Sequence, residues 1–305
     1  MILVTGGTGF IGRVLIEHLV SLGKPVRMLL RPSQLSPNLP LGLPVEVAVC
    51  SLKDERGLQA ALKGVDIIYH LAGTERLGTR ADLMGVDING SQAIAKAAAQ
   101  ANVDRIFFLS HLGADRLSAY PVLKSKAIAE AHIIHSGVSY TIFRSAVIYG
   151  PGDQFTTSLA KIFRISPGFF IMPGKGDVVI QPLWVDDLVT CLTYAMEDPA
   201  TRNQIFSIGG GEYIKFHQVL EYIQDAIGVH RILFSLSPAY LRSLAVYMEH
   251  SFPQFPISIF WVDYLATDRT CPLDTLPRLF GLMPARFNQQ LSYLNSLGGN
   301  SPKYH

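Results

Sequence analysis

Cysteine and charge are both scarce in this chain of 305 residues. Its three cysteines, Cys50, Cys191 and Cys271, stand far apart with no C-x-x-C or Cys/His ligand spacing, which excludes a disulfide framework and gives no zinc site. The nine histidines form no H-x-x-x-H pair, and no metal is expected. Charged side chains make up 16% of the sequence, with 26 lysines and arginines against 24 acids and a net charge of +2. That balance offers no one-signed field to nucleic acid or an anionic membrane, so no nucleic-acid partner is expected. No apolar run approaches the roughly 18 residues of a membrane span. Peripheral docking on a membrane or in a larger complex stays open. The chain runs from Met1-Ile2-Leu3-Val4-Thr5 directly into glycines, with neither a basic n-region nor a cleavage site. The expected setting is the reducing cytoplasm.

What the sequence has in quantity is apolar side chains, 49% of the total, enough for a sizeable core. They arrive in short β-rich runs alternating with helix-period stretches. Strands are expected at Ile2 to Thr5, Val26 to Leu30, Val45 to Val49, Asp66 to Leu71, Arg105 to Ser110 and Ser139 to Arg144. Helices are expected near Phe10 to Leu22, Asp54 to Leu62, Ala81 to Ala101 and Pro121 to Ser136. A Pro/Ser-rich loop (Pro32, Ser36, Pro37, Pro40, Pro44) separates the second and third strands. Continuous apolar strands alternating with helices predict an α/β fold, a doubly wound parallel sheet covered on both faces. Beyond Tyr149 the alternation loosens and aromatics thicken, among them Phe155, Phe163, Phe170, Trp184, Phe252, Phe255 and Trp261.

The first strand and first helix are joined by Thr5-Gly6-Gly7-Thr8-Gly9-Phe10-Ile11-Gly12, which contains G-x-G-x-x-G at Gly7, Gly9 and Gly12. Glycines at these places permit a tight turn and close approach of backbone to a pyrophosphate, which rests on the N–H groups and positive end of the helix. Gly6, Gly7, Thr8, Gly9, Phe10, Ile11 and Gly12 are therefore candidate cofactor contacts. The second strand ends in Leu29-Leu30-Arg31, where an acid would accept from a ribose hydroxyl. Arg31 is instead able to pair with a 2′-phosphate, and Arg13, just after the last glycine, is placed to close on it from the other side. This favours NADP(H), with NAD(H) as the alternative; the bland reading of each arginine is a solvated surface charge. Residues 1–150 thus read as a dinucleotide-binding Rossmann core. Residues 151–305 read as a smaller C-terminal α+β substrate-side region, partly threaded back onto that core.

These residues resemble the extended and atypical short-chain dehydrogenase/reductase superfamily, the NAD-dependent epimerase/dehydratase-like group. The likeness is carried by Thr5 to Gly12, by Tyr69-His70-Leu71-Ala72-Gly73, by Phe107-Phe108-Leu109-Ser110-His111-Leu112-Gly113-Ala114, by Ile148-Tyr149-Gly150-Pro151-Gly152-Asp153, and by Pro182-Leu183-Trp184-Val185-Asp186-Asp187-Leu188. It covers residues 1–228 well and the tail loosely. The atypical branch, with NmrA-like proteins and the dehydrogenase-like accessory subunit of respiratory complex I, is the nearest in character. The resemblance implies that Leu71, Ala72 and Gly73 line the cofactor. Ser51-Leu52 replaces the family's Asp-Leu, which weakens an adenine contact, and Arg144-Ser145 replaces its Arg-Pro.

The superfamily's chemistry resembles proton transfer from a tyrosine whose phenol is acidified by a lysine one helical turn later. Tyr120 and Lys124 have that spacing. A second register is set by Lys124-Ser125-Lys126-Ala127-Ile128-Ala129-Glu130, similar to the family's S-K-x-x-x-E segment, in which Lys126 is the lysine and Val122 fills the tyrosine slot. Pro121 pushes Tyr120 out of helical geometry. The bland reading of Lys126 and Glu130 is a surface i,i+4 pair. Ser110 precedes His111 where the family often has a second serine. Asp186 and Asp187 read as a helix start, and His70 as a satisfied core residue. Two functions stay open: an NADP-dependent oxidoreductase, epimerase or dehydratase acting on an apolar or aromatic small molecule, and a catalytically weak nucleotide-binding sensor, assembly factor or accessory subunit.

Overall fold

The computed structural model describes residues 1–33, 42–251 and 258–298. The middle of the Pro/Ser-rich loop, with Ser36, Pro37 and Pro40, and the aromatics Phe252 and Phe255 lie outside the described residues. The chain forms two compact units. One comprises Met1–Glu75, Asp82–Ser145 and Leu188–Ser207; the other Arg76–Ala81, Ala146–Asp187 and Ile208–His305.

The first unit is built on seven strands. Six are β1 (Ile2–Thr5), β2 (Val26–Leu30), β3 (Val45–Val49), β4 (Ile67–His70), β5 (Arg105–His111) and β6 (Ser139–Ser145), and the strand Gln204–Ile208 adds to the edge beside β6. Spatial order from the other edge is β3-β2-β1-β4-β5-β6, with β1 to β6 all parallel. Both faces of β1 are buried, as its unbroken Ile-Leu-Val run requires. The order reverses between β1 and β4, so the loops after those strands diverge and leave a crevice at their C-terminal ends.

Helices α1 (Phe10–Ser21), α2 (Glu55–Ala61), α3 (Asn89–Gln100) and α4 (Pro121–Ile134) cover the sheet. In α1, Leu15, Ile16 and Leu19 are fully buried, each side chain contributing about 1.5–3 kcal/mol by leaving water. The helix stops at Leu22, and Gly23 supplies the left-handed residue, φ +69°, that turns the chain toward β2. A second apolar cluster, with Leu3, Ile68, Ile94, Ala98, Ile106, Phe108 and Ile142, packs α2, α3 and α4 onto the sheet.

One expected helix is shorter than its composition suggests. Residues 81–101 do not form a continuous helix: Leu83–Ile88 is a wide π-type turn, and α3 begins only at Asn89. The Asp82 carboxylate accepts from the Gly85 N–H at 2.8 Å, starting this turn. Widening it points Asp87 inward, where its side chain is buried.

The second unit is mixed. Ile148–Tyr149 pairs in parallel with Leu183–Trp184, Phe169–Pro173 in parallel with Ile232–Leu236, and Val179–Ile180 antiparallel with Ile214–Lys215. Its helices are Thr156–Ile165, Phe216–Ile227, Pro238–Ser251, Ile259–Tyr264 and Thr275–Phe280. Aromatic contacts hold it: Tyr149 meets Trp184 and Phe287, with ring centroids 5.2 and 4.7 Å apart, and Phe163 meets Phe170 at 4.8 Å. Phe163, Phe170 and Met172 are core residues. The carboxylate of Asp153 accepts from Gly150 N–H, Thr156 Oγ1 and Thr157 N–H, which fixes the start of the helix Thr156–Ile165.

Candidate cofactor and catalytic site

The glycine loop lies at the C-terminal end of β1, at the switch point of the sheet. Its glycines serve different ends. Gly6 has φ +72°, and a Cβ there would lie 2.8 Å from the Leu71 and Ala72 backbone. A Cβ on Gly7 would strike Met28 and Ile16, and one on Gly12 would come within 2.3 Å of the Gly6 carbonyl oxygen. These three are required by the chain's own packing. Gly9 is not: its backbone is ordinary extended (φ −76°, ψ 171°), and a Cβ would meet only the Gly6 carbonyl oxygen, at 3.1 Å. Gly9 is also the residue that starts α1, and no side chain caps the helix there. A bare helix N-terminus preceded by a residue whose missing Cβ would touch a single protein atom fits a pyrophosphate. Thr8, Phe10 and Ile11 complete this turn.

Arg13 is exposed, and its Nε donates to the Thr8 carbonyl oxygen at 3.0 Å, folding the side chain back along the loop. Arg31 is exposed directly after β2. Leu71, Ala72 and Gly73 follow β4, and the Ala72 N–H donates to Thr5 Oγ1 at 3.2 Å.

That last bond belongs to a buried chain that fixes the site's floor. Thr5 Oγ1 and His70 Nδ1 are 2.7 Å apart, His70 Nε2 and Ser91 Oγ are 3.0 Å apart, and Ser91 Oγ donates to the Asp87 carbonyl oxygen at 2.6 Å. Because the Ser91 proton is spent on that carbonyl, His70 donates from Nε2 and accepts at Nδ1 from Thr5. Complete burial, aided by the Lys126 charge, pushes the His70 imidazole down to about 3, so it stays neutral. His70 is a structural tie between β1, β4 and α3.

Above it lies a compact ionic cluster. Lys126, on α4, is 4% exposed; its Nζ stands 3.5 Å from Glu75 Oε2 and 3.6 Å from Asp87 Oδ1. His111, the last residue of β5, places Nε2 3.5 Å from Glu75 Oε1. The Asp87 carboxylate also accepts from the Thr74 N–H at 3.0 Å and Thr74 Oγ1 at 2.7 Å. Burial pushes Asp87 up to about 6, with Glu75 adding to the rise and Lys126 opposing it. Burial alone would depress the lysine, but the two carboxylates outweigh it and hold Lys126 above its ordinary value. Gly73 makes room for the group, since a Cβ there would sit 2.3 Å from Glu75 Oε2 and 3.0 Å from Asp87 Oδ1.

The sequence-predicted residues separate accordingly. Lys126 joins the cluster. Lys124 is exposed on α4. Tyr120 is half-buried in extended geometry (φ −87°, ψ 117°) just ahead of Pro121, outside the helix. The i,i+4 pairing of Lys126 with Glu130 does not form: Arg144 takes Glu130 in a fork, with contacts of 2.6 and 3.0 Å. Asp186 and Asp187 do stand in the first turn of the helix Val185–Glu197, and Asp187 accepts from the Ala285 N–H at 2.8 Å. Glu75, Asp87 and His111 escape a reading by spacing because three separate segments of the chain bring them together; the one signal was a histidine where a serine is usual. A groove of about 350 Å³ on the outer faces of α3 and α4, lined by Ala95, Lys96, Ile128 and His132, contains none of these residues.

Among the described residues there is no helix long and apolar enough to cross a membrane and no metal-ligating cluster. Residues 6–158, half the chain, match the family described as NAD(P)H-binding. The chain is 29% identical over 269 residues to sterol demethylase protein B of Methylococcus capsulatus, covering 80% of each. It is 26% identical over 231 residues to the mitochondrial NADH dehydrogenase [ubiquinone] 1 alpha subcomplex subunit 9 of Arabidopsis thaliana, covering 73% of this chain and 57% of that longer relative. Among solved structures, that of gox2253 superposes with a TM-score of 0.78 over 99% of both chains; at 20% identity this shows a shared fold. With its sheet order, its glycine loop at the switch point and this match over half its length, the chain belongs to the NAD(P)H-binding family of the short-chain dehydrogenase/reductase superfamily.

Proposed function

We propose that this protein is an NADP(H)-preferring oxidoreductase acting on an apolar small molecule, with Gly6 to Gly12 holding the pyrophosphate and Lys126 bordering the nicotinamide ribose. The observation that carries the reading is Gly9, which has ordinary extended backbone, clears the core, and leaves the start of α1 without a side-chain cap and open to a ligand. Arg31 and Arg13 are assigned to the 2′-phosphate, supported by the absence of an acid after β2. Leu71, Ala72 and Gly73 border the cofactor on the β4 side. The bound dinucleotide supplies a hydride or accepts one. The protein's part is to orient it, exclude water and move a proton. An apolar substrate is supported by the likeness to a sterol demethylase protein. A cytoplasmic location is supported by three buried cysteines that form no disulfide.

A second reading, a nucleotide-binding accessory subunit or sensor with weak turnover, is favoured by one observation: Val122 occupies the place one turn before Lys126 and has no proton to give. The likeness to a complex I subunit accords with it. Calorimetric titration of NADPH and NADH into wild type and Arg31→Ala tests the cofactor assignment. NADPH is expected to bind at least tenfold more tightly, and Arg31→Ala to erase most of that margin. Equal affinities in wild type would overturn the 2′-phosphate assignment.

A further inference from the structure

We propose that the second unit carries a docking surface for an anionic lipid bilayer, formed by one face of the paired strands Phe169–Pro173 and Ile232–Leu236 and by the outer stripe of the helix Pro238–Ser251. The proposal goes beyond the oxidoreductase reading and does not depend on it. Alternation along the two strands puts Phe169 and Ile171 on one face with Ile232, Phe234 and Leu236, and the register sets Ile232 beside Phe169 and Phe234 beside Ile171. The rings of Phe169 and Phe234 meet edge to face, their centroids 5.8 Å apart. On the opposite face Phe170 and Met172 are core. The helix covers only one end of the apolar face, where its Leu241 and Ala245, together with Val262, pack on Ile171 and Leu236. At the other end Ile232 is 67% exposed, Phe234 53% and Phe169 42%. Ile165, 66% exposed, stands at that end too: the chain runs from it into Phe169 through Gly168, whose carbonyl oxygen accepts from the Ile232 N–H at 3.0 Å.

The helix adds a stripe of its own. Tyr240, Leu244 and Tyr247 recur at helical spacing and are exposed, beside the buried row Leu241, Ala245 and Glu249. Arg242, on the other flank, is taken by Asp263 at 2.8 Å, so the helix Ile259–Tyr264 sits away from the tyrosine stripe. Single exposed apolar side chains are ordinary, but a run of them along one ladder and its neighbouring helix marks a contact surface. Charge decides the partner. The net charge of +2 conceals a local imbalance, since residues 154–176 and 226–248, which build this surface, contain no aspartate or glutamate and carry Lys161, Arg164, Lys175, Arg231 and Arg242. Lys161 is exposed one helical turn before Ile165, and Arg231 directly precedes Ile232. Lys175 is exposed at the far end, just past Gly174, whose N–H donates to the Leu236 carbonyl oxygen at 2.8 Å. The bordering acids are matched: Asp263 by Arg242, and Asp225 lies 3.9 Å from His230. A bilayer interface takes what is present here, aliphatic and phenyl groups for the acyl boundary, tyrosines for the headgroup level, and lysine and arginine stems that reach lipid phosphates. A second copy of the chain meeting this face about a two-fold axis would set its cations against their like.

The test uses the full chain, co-sedimented with phosphatidylcholine vesicles that contain either no anionic lipid or about 30% phosphatidylglycerol. Wild type is expected to bind the anionic vesicles about tenfold or more tightly than the neutral ones, and about 0.5 M salt to remove most of that margin. Phe169→Ser combined with Phe234→Ser should weaken binding to anionic vesicles about tenfold, while thermal unfolding stays within a few degrees because both positions are exposed. Lys161→Glu combined with Lys175→Glu, which removes no packed apolar group, should abolish the preference for anionic over neutral vesicles. Amide exchange across residues 232–247 should slow when anionic vesicles are added, with β1 unaffected. Wild type that binds neither vesicle, or binding unchanged in both double variants, would overturn the proposal. So would a lipid-free dimer in sedimentation velocity that the double serine variant splits, which would assign the face to a second copy. Every readout is taken without nucleotide or carbonyl substrate, so failure of the oxidoreductase reading would leave this result standing, and the reverse.

Discussion

Asp87 Oδ1 lies 3.6 Å from Lys126 Nζ, and both side chains are buried. Burial, with Glu75 adding to it and Lys126 opposing it, holds Asp87 protonated up to about 6. A carboxyl raised in the folded state favours folding below its unfolded pKa, and that contribution is lost as pH rises through about 6. Stability should therefore decline from this group between roughly pH 4 and 6.5, with a slope of at most about 1.4 kcal/mol per pH unit. Asp87→Asn should flatten that part of a urea-unfolding profile. An unchanged slope would contradict the charge assignment.

In the second unit the sign reverses. Glu249 is buried and accepts from the Thr79 N–H at 2.8 Å and the Ile259 N–H at 2.6 Å. Burial raises its carboxyl, but these bonds outweigh it and hold it below the usual range. Its contribution is present above the unfolded pKa and lost as pH falls through the folded one. Amide exchange at Thr79 and Ile259 should accelerate below pH 4 and, at neutral pH, in Glu249→Ala.

Arg105 is a buried cation serving structure. Its guanidinium donates to Thr141 Oγ1, Thr201 Oγ1 and the Ala195 carbonyl oxygen, and stacks on Phe107 at 4.7 Å. Arg105→Ala would remove these hydrogen bonds and leave a cavity, costing about 2–5 kcal/mol. Chemical denaturation measures this directly; a loss below about 1 kcal/mol would mean water replaces the side chain.

The two candidate lysine registers give opposite mutational outcomes. Lys126→Ala should weaken NADPH binding at least tenfold. Lys124→Ala and Tyr120→Phe, one exposed and one outside the helix, should each change affinity and turnover less than threefold. A hundredfold loss in Tyr120→Phe would return the phenol to the chemistry.

The sheet was legible because its strands are short β-rich runs separated by turn and helix signals. Val26–Leu30 and Val45–Val49 begin and end where the pattern changes. The alanine-rich stretch after residue 81 was not, since helix propensity is blind to a tertiary demand that turns Asp87 inward. Spacing likewise offered Lys126 the wrong partner. Glu130 is one turn away, but Arg144 from β6 claims it with a bidentate fork that one lysine cannot match. The glycine loop could be read because its chemistry is local; the Lys126 cluster could not, because Glu75, Asp87 and His111 converge only after folding.

On the proposed function the start of α1 is left bare for a dinucleotide, and Gly9→Ala probes that directly. NADPH affinity by calorimetry and thermal unfolding are measured on wild type, Gly9→Ala and Gly12→Ala. The added methyl at position 9 meets only one protein atom, so Gly9→Ala should unfold within about 2 °C of wild type and bind NADPH at least tenfold more weakly, a loss of about 1.4 kcal/mol or more. Gly12→Ala, whose methyl collides with the Gly6 carbonyl, should lose stability as well as affinity. Wild-type NADPH affinity in a normally folded Gly9→Ala would contradict the account.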